Sequence, residues 1–257
     1  MRIFILGTGH MGSWLAGALK DGNEIAVFDT DPERLAAVDG VKILNNIDDL
    51  EGLAPELAIN AASLINTKAA FDSMLPYLPK DCIISDIASV KAGLAEFYER
   101  AGRPFVSTHP MFGPTFANIE DLTSENAIII EESDERGKEF FRRFYEKLKL
   151  NIFDYSFKEH DDTVAYSLAT PFASTITFAA CMKDQEAPGT TFRKHMEIAK
   201  GLLSEDDYLL AEILFSPGAL DQIEKISQQL AYLTHIIRGR DYEVMKKFLN
   251  GLRDNIK

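Results

Sequence analysis

Cysteine is scarce in this 257-residue chain: Cys82 and Cys181 are the only two, far apart and outside any CxxC spacing. That excludes a disulfide framework and a cysteine-based metal centre, and no metal site is expected. It reads as two reduced thiols in a cytoplasmic protein. Basic residues are also short. Lys plus Arg number 27 against 40 Asp plus Glu, a formal charge of −13. General nucleic-acid binding needs a basic footprint, as does docking on anionic lipid, so neither nucleic acid nor membrane is expected as a partner. The apolar start, residues 3–6, runs straight into Gly7 and is too short for the core of a signal peptide. Long uncharged runs are missing too, with one exception at residues 163–182. That run holds Tyr166, Thr170, Pro171 and Ser174, and it reads as a helix buried in a soluble protein rather than a bilayer span.

What is present is an ordinary globular composition, 46% apolar and 26% charged. The length suits two domains or one large one. Up to residue 155, short apolar runs at 2–6, 24–28, 41–44, 57–61, 82–86 and 126–131, and one beginning at 105, read as strands. Between them, residues 10–20, 32–38, 67–75, 90–101 and 134–148 read as helices. Such alternation predicts a mostly parallel sheet covered on both faces. Beyond residue 155 the strand signals stop. Residues 160–182, 191–203, 206–215, 219–237 and 242–256 read as helices, punctuated by Pro188-Gly189 and Pro217-Gly218.

The first strand is followed by Gly7-Thr8-Gly9-His10-Met11-Gly12, which opens a helix, and the second strand ends at Asp29. In that context GxGxxG is a dinucleotide-binding fingerprint. Gly7 permits the tight turn, Gly9 lets a pyrophosphate approach the backbone, and Gly12 lets the helix pack close to the sheet. His10 and Met11 sit at the helix start, whose N–H groups and dipole suit phosphate. Asp29 suits free ribose hydroxyls and repels a 2′-phosphate, which favours NAD over NADP, although Asp31 and Arg34 lie close by. The fold expected is therefore α/β. A Rossmann-type dinucleotide-binding domain spans residues 1–155, and an all-helical dimerisation domain spans residues 156–257.

Ligands of parallel sheets sit beyond the carboxyl ends of strands. Three such ends are expected to face one crevice: Asn60 to Ser63, Asp86 to Lys91, and Ser107 to Pro114. Small residues around Ser63 leave room for a nicotinamide ring. His109 is the acid/base candidate, since a neutral imidazole accepts a proton at pH 7. Ser89 has no activating base beside it in sequence and reads as an orienting hydroxyl. His160, with Asp161 and Asp162, reads as the opening of the long helix.

The fingerprint, Asp29, SDIASVK at residues 85–91 and THPMFGP at residues 108–114 together resemble the prephenate dehydrogenase family. The resemblance continues through EHDDTVAYSLATP at residues 159–171 and IAKGLLSEDDYLLAEILF at residues 198–215, nearly the whole chain. It implies NAD-dependent oxidative decarboxylation of prephenate to 4-hydroxyphenylpyruvate, in tyrosine biosynthesis. His109 would take the substrate hydroxyl proton, and Ser89 would orient His109 and the nicotinamide.

Two positions depart from the family pattern. A histidine often follows the proline of the long helix, where this chain has Phe172. An arginine that pairs with a substrate carboxylate falls on Glu197. A dicarboxylate still needs cations, and Arg193, Lys194 and Lys91 are the candidates, with Lys200 behind them. Glu197 suits the ammonium of arogenate, so arogenate dehydrogenase is the alternative enzyme. A non-catalytic NAD sensor is the alternative outside enzymes. The uncharged helix is too apolar to lie exposed on a monomer, which predicts a homodimer.

Overall fold

The alternating half closes into one eight-stranded sheet. The computed structural model describes residues 1–113, 118, 120–183 and 185–256, so Pro114 of the THPMFGP motif lies outside the described residues. The strands are β1 (Arg2–Leu6), β2 (Glu24–Phe28), β3 (Lys42–Ile43), β4 (Leu57–Asn60), β5 (Ile83–Asp86), β6 (Phe105–Pro110), β7 (Asn126–Ile130) and β8 (Asn151–Tyr155). Their order is β3-β2-β1-β4-β5-β6-β7-β8. All neighbours pair parallel except β6 and β7, which run antiparallel with His109 opposite Ile128.

Alternation along each strand splits the core between two faces. Ile3 and Ile5 join Leu57, Ile59, Ile83 and Val106 on one face. Helices α1 (His10–Leu19) and α6 (Glu135–Lys147) cover it with Leu15, Leu19, Phe141 and Tyr145. Phe4 and Leu6 join Ala58 and Ile84 on the other. There, α4 (Thr67–Met74) and α5 (Leu94–Ala101) supply Phe71, Met74, Leu94 and Phe97. The short helices α2 (Pro32–Ala36) and α3 (Leu50–Leu53) lie in the connections.

Three elements differ from the sequence expectation. The helix expected over residues 90–101 begins only at Leu94, because Gly93 adopts a left-handed conformation at φ 73°. That frees Val90 and Lys91 to turn inward. Strand β6 runs on through His109 to Pro110, because β7 gives it a partner there. Strand β8 went unforeseen: it is an edge strand carrying Asn151 and Asp154, mostly outside the core and paired with β7 alone.

After Tyr155 every regular element is helical: α7 (Phe157–Val164), α8 (Thr170–Cys181), α9 (Thr190–Leu202), α10 (Asp207–Leu214), α11 (Ala219–Gly239) and α12 (Tyr242–Asn255). A Ser156–Glu159 capping box starts α7. A π-helical turn at Ala165–Ala169 joins α7 to α8, so Phe157–Cys181 is one helix. By length and composition it is apolar enough to cross a membrane. A helix buried in a soluble protein was the expectation, but no residue of α8 is fully buried; it packs mainly on α9, α11, α10 and the π turn. A small cluster ties the two halves together, with Val90 and Leu64 from the sheet side meeting Ala169, Phe172, Ile213 and Ala219.

Candidate active site

The glycine loop is built as its spacing predicts. Gly7 has φ +98°, and a Cβ there would lie 2.8 Å from the Ala61 backbone. A Cβ on Gly12 would come within 1.9 Å of the Gly7 carbonyl oxygen. Neither position admits a side chain. Gly9 is different: only Arg34 Nη1, at 4.0 Å, approaches where its Cβ would be. Its backbone is thus open to a ligand, and a side chain would fill that cradle. No side chain caps the start of α1, which leaves its N–H end to an anion.

Asp29 braces this loop. Its Oδ2 accepts from the Thr8 backbone N–H at 2.6 Å and from the Thr8 hydroxyl at 3.2 Å, and its Oδ1 accepts from the Asp31 N–H at 2.9 Å. Arg34 pairs with Asp31 at 3.4 Å. A cavity of about 600 Å³ opens over the ends of β1, β2, β4 and β5, and Gly7, Gly9, His10, Met11, Asp29, Ser63 and Ser89 all line it. Glycine turn, open backbone, helix start and carboxylate are the donor set a dinucleotide needs, and the residues present fit one.

Behind that cavity lies a buried polar cluster. Asp86, at the end of β5, accepts from the Lys91 ammonium and from the Ala88 N–H on Oδ1, and from the Tyr98 hydroxyl at 2.6 Å on Oδ2. Lys91 also donates to the Thr108 carbonyl at 2.8 Å. The Thr108 hydroxyl donates to the Ile128 carbonyl and meets the Tyr145 hydroxyl, each at 2.8 Å. Burial pulls the Lys91 pKa down, opposed by Asp86. Burial, reinforced by Asp86, holds the Tyr98 phenol well above its ordinary range, so it donates.

His109 follows Thr108 and is 4% exposed. Its Nδ1 lies 3.0 Å from Nε2 of His160, on α7. Desolvation holds His109 well below the ordinary value of 6.5, with His160 and Lys91 acting in the same direction. His160 is lowered as well, first by desolvation. Both rings are therefore neutral at pH 7.

Ser63 and Ser89 line the crevice as expected, while His109 sits one strand further along and is not part of that lining. His109 Nδ1 is hydrogen-bonded to His160 Nε2 rather than to Ser89. Lys91 needs correction as a substrate cation: its side chain is fully buried and its ammonium is spent on Asp86 and Thr108. Arg193 lines a second cavity, of about 470 Å³, with Lys183, Glu197 and Lys200. Lys194 is exposed on the same helix. Phe172, in the family's histidine position, packs in the apolar cluster with Val90 and Leu64. His160 was missed, because a His-Asp pair near a helix start looks like solvated surface until the fold brings it to β6.

A family model described as the nucleotide-binding domain of prephenate dehydrogenase matches residues 15–150. A probable arogenate/prephenate dehydrogenase of Methanocaldococcus jannaschii is 24% identical over 263 residues, covering 95% of this chain and 58% of the relative. The chain spans about half the length of the curated relatives it matches. Among solved structures, prephenate dehydrogenase from Aquifex aeolicus, in complex with hydroxyphenyl propionate and NAD+, superposes with a TM-score of 0.81. It has 19% identity and covers 100% of this chain and 98% of that one. Synechocystis arogenate dehydrogenase superposes with a TM-score of 0.76 at 19% identity, each chain fully covered. These likenesses establish the fold.

Proposed function

This chain belongs to the prephenate dehydrogenase family, and on that premise we propose that it oxidises and decarboxylates prephenate with NAD, yielding 4-hydroxyphenylpyruvate. The observation carrying this reading is the buried, neutral His109 at the end of β6, beside a glycine-loop cavity over the neighbouring strand ends. The dinucleotide would be held by Gly7, Gly9, His10, Met11, Gly12, Asp29 and Ser63. When bound, NAD supplies a hydride acceptor.

The chain's own part is proton transfer and positioning. Prephenate is a cyclohexadienol with a ring carboxylate and a pyruvyl side chain. His109 accepts the hydroxyl proton as hydride leaves the carbinol carbon and that carbon gains carbonyl character. The bond to the ring carboxylate then breaks, its electron pair aromatises the ring, and carbon dioxide departs. The phenolate oxygen takes the proton back from His109, so no net proton is released. Ser89, on the cavity wall, orients the ring of the cofactor. Arg193 is the cation proposed for a substrate carboxylate, with Lys194 its alternative on the same helix.

One observation favours a second reading. Glu197 shares the cavity of Arg193, and a carboxylate there suits the ammonium of arogenate. The helical domain, from residue 156, is proposed to pair with its twin in a homodimer.

The test is His109→Asn. Turnover should fall by about 10²- to 10⁴-fold, with NAD affinity and the thermal melt unchanged. In the wild type, kcat/KM should stay level as pH falls through 6.5, because the folded protein holds His109 neutral below that value. Its acid limb should appear only lower. An unchanged kcat in the variant contradicts the assignment.

A further inference from the structure

Three groups stand in line across two elements. His160 Nδ1 lies 3.3 Å from Asp161 Oδ1, and His160 Nε2 lies 3.0 Å from His109 Nδ1. The His160 side chain is fully buried and that of Asp161 is one quarter exposed. A carboxylate only accepts, so the proton on His160 must sit on Nδ1. That leaves His160 Nε2 with a lone pair, which in turn requires the proton of His109 to sit on Nδ1. The remaining nitrogen of His109, Nε2, is then the one free to accept a proton.

We propose that His160 is a positioning residue, oriented by Asp161, that fixes His109 in the tautomer whose Nε2 is the base. The inference rests on the proposed function, in which His109 is that base. The reverse polarity would place a hydrogen on His109 Nε2 and leave it no lone pair for the substrate hydroxyl. The logic is that of a carboxylate setting a catalytic imidazole, lengthened by one ring. The other charged groups nearby do not substitute for Asp161. The Lys91 charge opposes protonation of both rings, and Asp86 is bonded to Lys91 and Tyr98. The Nδ1–H stays on His109 throughout, and only Nε2 gains and returns a proton.

The direct test reads the tautomer. Nitrogen-15 NMR of the labelled protein at neutral pH, with ring signals assigned by their loss in His109→Asn, should show His109 protonated on Nδ1 and bare on Nε2. A hydrogen on Nε2 overturns the proposal. Two variants add a kinetic reading. His160→Leu removes the acceptor and should lower kcat on the order of 10²-fold while leaving KM for both substrates within about threefold. His160→Gln, whose side-chain oxygen accepts from Nδ1–H, should recover most of that loss. Equal kcat in wild type, His160→Leu and His160→Gln also overturns it. The NMR reading needs neither turnover nor a variant of His160. An inactive wild type therefore sinks the proposed function while the tautomer is still tested, and a poorly folding His160→Leu does not block the result.

Discussion

Lys91 is large and cationic, its side chain is fully buried, and it lines neither the glycine-loop cavity nor that of Arg193. Its ammonium ties the end of β5, through Asp86, to the end of β6, through the Thr108 carbonyl. It therefore holds in register the strand ends that carry Ser89 and His109. Removing one member of a buried ion pair leaves the other charge uncompensated, at a cost of about 3–5 kcal/mol. Lys91→Met should lose stability of that order in urea unfolding, since the Asp86 carboxylate keeps only Tyr98 and the Ala88 N–H. A variant as stable as the wild type would show that the pair does not hold these ends. The sequence showed Lys91 as a cation near the crevice, but not which way it points. That direction depends on Gly93, whose left-handed conformation delays α5 by one turn.

At the scale of elements, the residues that make local structure were the legible ones. The glycine loop declares itself by spacing, and Gly7 and Gly12 prove to be places where no Cβ fits. Strands β1, β2, β4 and β5 are buried on both faces and read as apolar runs. Strand β8 has no such signal, because an edge strand with one neighbour needs no continuous apolar run. The contact between His109 and His160 was illegible for a different reason. It joins residues 51 apart, and only the strand-end half, His109, stood out in sequence; the helix-turn half, His160, did not. Phe172 shows the reverse case. It stands out in sequence only beside the family pattern, and the fold gives it an ordinary apolar place against Val90 and Leu64.

For the whole molecule, exposed apolar side chains concentrate in the helical half. Among the described residues, thirteen of the seventeen exposed large apolar side chains lie beyond Tyr155, Phe215 at 78% and Leu220 at 66% among them. With α8, none of whose residues is fully buried, they are the side chains the proposed dimer would cover with a second copy of the same helices. Sedimentation at micromolar concentration should give twice the chain mass of 28.7 kDa, and a monomer there would contradict the dimer. Catalysis is tested by the absorbance of reduced nicotinamide with wild-type protein, NAD and prephenate, with arogenate and NADP in parallel arms. Reduction is expected with prephenate and NAD, accompanied by release of carbon dioxide. Turnover of arogenate alone would replace the substrate with the second reading. No reduction in any arm, with NAD still bound, would contradict the proposed enzyme and leave a dinucleotide-binding sensor.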